Sequence, residues 1–209
     1  MKEINIIDFG LMGKQISALF YLLGYEIGVY NKSKLNIYEF EKQIKLLQRK
    51  IDFSNFNAGK INIYQHIEDL KNSLTIESLN EDLNLKKEIM QILRDNNIVF
   101  SNSSSLSMDD LNCDFIHFFN TIYIKLIELC GSNLERFTPL KDLKKLGFHI
   151  ICSKGNRGAL ANLLLFNEIS SFFKIIEKYD YNFKECQTVY DLLYEKRNLL
   201  NIIDTIGIE

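Results

Sequence analysis

Apolar residues along this 209-residue chain follow two periods. Short blocks at 4–7, 27–30, 61–64, 74–77, 98–101, 115–118, 124–129 and 149–152, each bounded by polar or glycine-containing stretches, predict β-strands. Between them the spacing is helical. Ile16, Leu19, Phe20 and Leu23 share one helix face until Gly24 ends the run, and Ile37, Phe40, Ile44, Leu47 and Ile51 mark a second amphipathic helix with Lys42, Lys45 and Arg49 on its wet side. The stretch 55–59 breaks that helix. A short helix is predicted at 66–72 and a longer one at 82–93, and a third starts at Thr138-Pro139, a hydroxyl cap followed by proline at the first helical position, and stops at Gly147. Strands separated by helices of this length predict a mostly parallel sheet covered on both faces.

After Lys154 the alternation ends. Leu160, Leu163, Leu164, Ile169, Phe172, Phe173 and Ile176 predict one long, strongly apolar helix, with shorter helices at 183–194 and 198–206. The pattern divides the chain into a sheet domain, 1–154, and a helical segment, 155–209. So few helices cannot bury this much leucine, isoleucine and phenylalanine among themselves. A homo-oligomer, in its simplest form a dimer, joined through the C-terminal helices, is the economical expectation.

Composition narrows the partners. A formal net charge of -2 on a chain with 25% charged residues leaves no basic stripe, and no lysine group is interleaved with stacking aromatics, which argues against nucleic acid. No leader and no apolar span of membrane length occurs, so a cytoplasmic location without a membrane partner is expected. Cys113, Cys130, Cys152 and Cys186 are far apart and form no CxxC pair, and the three histidines are scattered. The cysteines therefore read as buried thiols in a reducing compartment, and no metal site is expected.

The first strand runs directly into Asp8-Phe9-Gly10-Leu11-Met12-Gly13 and then a helix and a second strand, which is half of a mononucleotide-binding unit. Gly10 lets backbone approach a diphosphate, and Gly13 lets the helix pack close to the strand. Leu11 and Met12 lie at the helix N-terminus, where free N–H groups face the phosphates. A complete G-x-G-x-x-G would have glycine at Asp8. The position that receives the adenosine ribose carries Asn31 in place of an acid, beside Lys32 and Lys34, so NADP stands as an alternative to NAD. These observations define the expected fold class: α/β, a Rossmann-type mostly parallel sheet followed by a short all-helical segment.

Beyond Ser73 the chain resembles one family. Residues 74–88, LTIESLNEDLNLKKE, are similar to the "VIEAVPEDLxLKKE" segment of 3-hydroxyacyl-CoA dehydrogenases, 101–107 to its "NTSSL" turn, 115–120 to "HFFNP" and 125–128 to "KLVE". Asn162 falls at the asparagine of "GFIVNR", and 201–209 resemble "ELIDxVGLD". The resemblance implies His117 and Glu128 as a catalytic pair, Ser104 and Asn162 as hydrogen-bond partners of the reacting oxygen, and Glu81 and Lys86 near the nicotinamide. Such a set suits the chemistry: imidazole takes the proton as hydride leaves the same carbon, and a carboxylate behind it fixes the tautomer. Each residue also has a structural use. His117 can be a core histidine partnered by Glu128, Ser103, Ser104 and Ser105 can cap the next helix, and Asn162 and Lys86 can sit on solvated faces. The sequence departs from the family at Asp8, Asn31, Thr121 (for proline), Leu163 (for arginine), the Lys196-Arg197-Asn198 stretch (for "GP"), and in a His117-to-Glu128 spacing one residue shorter. Residues 36–60 and the C-terminal helical domain are shorter than the family's. The implied function is hydride transfer between NAD(P) and a 3-hydroxyacyl/3-oxoacyl thioester of coenzyme A or a carrier protein, within fatty acid metabolism. The alternative is a catalytically weak or inactive nucleotide- or partner-binding protein that retains the dehydrogenase fold.

Overall fold

Strands of four or five residues that are apolar on both faces can only be satisfied inside a sheet with helices on either side; the inner strands here are of this kind, and with two half-exposed edge strands they form one eight-stranded sheet among the described residues. The computed structural model describes residues 2–32, 36–70, 72–93, 98–153 and 159–194. In chain order the elements are β1 (Glu3–Ile7), α1 (Leu11–Leu22), β2 (Glu26–Tyr30), α2 (Ile37–Lys50), β3 (Lys60–Tyr64), β4 (Leu74–Glu77) and α3 (Leu83–Leu93). There follow β5 (Ile98–Ser101), α4 (Met108–Leu111), β6 (Asp114–Phe118), β7 (Leu126–Cys130), α5 (Leu140–Lys145), β8 (His149–Ser153), α6 (Leu160–Tyr179) and α7 (Phe183–Leu193).

The strand order is β3-β2-β1-β4-β5-β6-β7-β8, and only the β6–β7 pair is antiparallel. The order reverses between β1 and β4, which is where a doubly wound Rossmann-type sheet opens its ligand crevice. The C-terminal ends of β1, β2, β4, β5 and β6 all reach the same side of the sheet, so Asp8, Asn31, Glu77, the serine turn after Ser101 and His117 gather there.

The predicted helix face is buried as expected: Ile16, Leu19 and Phe20 are fully inaccessible and meet Ile4, Ile6, Phe100 and Phe118 in one core. The rings of Phe20 and Phe118 meet edge to face at 6.0 Å. Each such side chain contributes roughly 1.5–3 kcal/mol by leaving water.

Some expectations are corrected. The helix at 66–72 is a single 3-10 turn at Ile67–Asp69. The helix after Thr138 starts one residue late, with Pro139 in the cap position and its carbonyl accepting from the Leu143 N–H, because proline at that point supplies an acceptor but no side-chain cap. Ile37 is 40% exposed at the open first turn of α2. None of the four cysteines forms a disulfide; only Cys130 is buried, and Cys152 is exposed on edge strand β8.

The chain divides into two compact units, Met1–Leu160 and Ala161–Glu209. Within the second, α6 and α7 pack through Phe172, whose ring meets Phe183 and Tyr190 edge to face at 5.9 and 5.5 Å. The Tyr190 hydroxyl donates to Glu168. The predicted helix at 198–206 and the motif at 201–209 lie outside the described residues. No helix among the described residues is long and apolar enough to cross a membrane.

Candidate active site

The turn after β1 is tight because Gly13 has no side chain: a Cβ there would lie 2.2 Å from the Asp8 carbonyl oxygen. Asp8 takes a left-handed conformation, φ 75°, tolerable for aspartate and better suited to glycine. Its Oδ2 accepts from the Gly10 N–H at 3.0 Å. Asn31 is bound into the same turn, its Oδ1 accepting from the Phe9 N–H at 3.2 Å. At the start of α1 no side chain caps the helix and no acid lies in the first turn, so the Leu11, Met12 and Gly13 N–H groups are left as an anion-binding helix end.

Across the sheet reversal, Glu77 closes β4 directly beside Ile7 of β1. Glu77 is inaccessible and paired with Lys86, itself 1% exposed, at 2.6 Å. Far from lying on a solvated face, Lys86 reaches inward from α3 and also donates to the Leu79 carbonyl at 2.9 Å. The second Glu77 oxygen accepts from Ser101 Oγ at 2.6 Å. Lys86 lies 3.8 Å from Glu81, whose carboxylate gathers the serine turn: Ser103 Oγ donates at 2.7 Å, the Ser104 N–H at 2.7 Å, Ser104 Oγ at 3.2 Å and the Ser105 N–H at 3.2 Å. Partial burial pushes the Glu81 pKa up, but these donors and the Lys86 charge outweigh it and hold the carboxyl below its ordinary value. The cap of α4 is Ser107, which accepts from the Asp110 N–H, so the three preceding serines are free for Glu81.

His117 and Glu128 are direct partners in the antiparallel β6–β7 ladder. The shorter spacing is absorbed in the turn at 120–124, where the Tyr123 and Ile124 N–H groups both donate to the Asn120 carbonyl. Thr121 suits this turn: its N–H donates to the buried Gln15 side chain of α1 at 3.2 Å, a bond a proline could not make. His117 is 8% exposed and stacks on Phe119 with ring centroids 4.3 Å apart. Burial lowers its pKa to about 4, against the opposing charges of Glu128 and Glu81. Its Nδ1 and the nearby Asn120 Oδ1 are buried with no hydrogen-bond partner, the kind of polar atoms a substrate can satisfy. Glu128 Oε1 accepts from the Leu160 N–H at 2.7 Å, and the Ala159 N–H donates to the Ser104 carbonyl.

The first unit thus brings Gly10, Leu11, Met12, Gly13, Asn31, Glu81, Lys86, Ser104, His117 and Glu128 to one end of its sheet. Asn162 lies half-buried on α6 in the second unit. Sequence reasoning missed Glu77, Ser101 and Asn120. The signal for Glu77 was available, since a carboxylate closing a wholly apolar parallel strand has to find a buried partner.

Residues 3–136 match the family described as 3-hydroxyacyl-CoA dehydrogenase, NAD binding domain. The chain belongs to the 3-hydroxyacyl-CoA dehydrogenase family. Its first unit carries that family's NAD-binding domain. A 3-hydroxybutyryl-CoA dehydrogenase from Clostridioides difficile is 27% identical over 157 residues, 63% of this chain, and the match spans 55% of that relative's length. In fold, the chain is similar to an (S)-3-hydroxybutyryl-CoA dehydrogenase from Ralstonia eutropha, with a TM-score of 0.80 at 20% identity over 99% of this chain and 82% of that one. A 3-hydroxybutyryl-CoA dehydrogenase from Escherichia coli K12 gives 0.65 at 18% identity, over 85% of this chain and 43% of that one.

Proposed function

We propose that this member of the family is an oxidoreductase that moves hydride between NAD(P) and a 3-hydroxyacyl/3-oxoacyl thioester carried on coenzyme A or a carrier protein. The observation that carries the reading is that His117 and Glu128 stand opposite each other in the β6–β7 ladder, close enough for the Glu128 charge to act on the imidazole, at the end of the sheet where the glycine turn opens. The uncapped N–H groups of Leu11, Met12 and Gly13 fit the diphosphate, and Asn31 fits the ribose, although its Oδ1 is shared with the Phe9 N–H. NAD, when bound, supplies the hydride acceptor.

In the oxidative direction His117, held neutral by burial, takes the substrate hydroxyl proton, and the Glu128 charge stabilises the imidazolium that forms. The Ser104 hydroxyl, turned from Glu81, donates to the reacting oxygen. Glu81 fixes the serine turn, and the Lys86 charge 3.8 Å away holds Glu81, so these two residues act by positioning. The apolar surface of the helical unit, including Leu163, Leu164 and Leu192 at 51, 64 and 78% exposure, supports a second copy of the chain as its partner.

The test is loss of absorbance at the reduced-nicotinamide band with 3-oxoacyl thioesters. Turnover with NADH or NADPH is expected, and no consumption with either cofactor, on coenzyme A and carrier-protein thioesters alike, would overturn the reading. Asp8 favours a second reading, a nucleotide- or partner-binding protein with weak or no turnover, since its carboxylate occupies one N–H of the phosphate turn. That reading predicts binding heats for NAD, NADH, NADP or NADPH without hydride transfer.

A further inference from the structure

We infer that Asp8 is an internal competitor for the cofactor's diphosphate, which sets the nucleotide affinity of this chain low. The inference rests on the reading that a dinucleotide binds at the glycine turn. Three consecutive backbone N–H groups there are already satisfied from within: Asp8 by the Tyr30 carbonyl at 2.9 Å, Phe9 by Asn31 Oδ1 at 3.2 Å, and Gly10 by Asp8 Oδ2 at 3.0 Å.

The carboxylate lies directly over the turn. A Cβ built on Gly10 would stand 2.8 Å from Asp8 Oδ2, so the gap that lets a phosphate approach the backbone is filled by the side chain two residues earlier. The charge therefore sits at the positive end of α1, where an anion is stabilised whether it comes from the chain or from a ligand. A diphosphate that seats on the remaining Leu11, Met12 and Gly13 N–H groups meets a like charge, or displaces it and forfeits its bond to Gly10. Both outcomes cost affinity. Removing the carboxylate costs the turn little, because at φ 75° glycine is the better residue.

Titration calorimetry of the full chain with NAD and NADH tests this in three proteins: wild type, Asp8→Gly and Asp8→Asn. Asparagine keeps the size and the hydrogen bond to Gly10 without the charge, so it guards against a folding defect in the glycine variant. Asp8→Gly is expected to bind about tenfold tighter, the affinity change of about 1.4 kcal/mol, and Asp8→Asn to gain several-fold. The gap should shrink in about 1 M potassium chloride, where the screening length falls to about 3 Å. Equal dissociation constants for the three proteins would overturn the inference and leave the cofactor reading intact. Absence of binding heat in all three, with thermal melts showing them folded, would overturn both.

Discussion

The buried Glu77–Lys86 pair makes the sharpest stability prediction. Replacing Lys86 by methionine leaves Glu77, 0% exposed, with its hydrogen bonds from the Leu79 N–H and Ser101 Oγ but without its counter-charge. At the observed 2.6 Å, attraction between unit charges is about 6 kcal/mol at an effective dielectric of about 20. Desolvation of the two ions offsets several kcal/mol each, so the pair itself is worth little net. Its breakage is costly all the same, because an uncompensated buried charge remains: about 3–5 kcal/mol for Lys86→Met, a large part of a typical domain's 5–15 kcal/mol. The double variant Glu77→Gln/Lys86→Met removes both charges and should recover about 2–3 kcal/mol of that loss. Urea unfolding followed by circular dichroism on wild type, both single variants and the double variant gives the coupling. Single-variant losses below about 1 kcal/mol, or strictly additive ones, would refute a desolvated pair.

Two further outcomes follow from the same site. The folded-state pKa of His117, about 4, lies below the unfolded value of 6.5, so between these limits the unfolded chain binds more protons and stability falls as pH drops. About 3 kcal/mol should be lost from pH 6.5 to 4 through this residue, and denaturant midpoints of His117→Asn should lack that component; parallel pH profiles for the two proteins would contradict the burial argument. Thr121→Pro, which restores the residue expected from the family, should destabilise by about 1–3 kcal/mol because Gln15 Oε1 loses its buried donor, whereas an unchanged melting temperature would show that bond to be dispensable.

Much of this was legible in the sequence because a parallel sheet writes its strands as short apolar blocks: all eight fall within two residues of their expected positions. The glycine turn and the cross-strand partners His117 and Glu128 were also visible, though only the ladder could show that a spacing one residue shorter keeps them opposite. The burial of Lys86 was not legible. A lysine near the start of a helix reads as solvated, and what draws it inward is Glu77, nine residues earlier on another element. Asp8 was visible as a departure, but the direction of its carboxylate depends on a left-handed backbone that no pattern of polarity encodes.

The proposed reaction is direct hydride transfer between NAD(P)H and C3 of a 3-oxoacyl thioester, with His117 moving the proton on the C3 oxygen. Incubation with NADH deuterated at the nicotinamide C4 and a 3-oxoacyl thioester, followed by mass spectrometry, measures it. The account predicts one deuteron on C3 of the product, lost together with turnover in His117→Ala, while a 3-oxoacyl thioester recovered unlabelled and unreduced would contradict it.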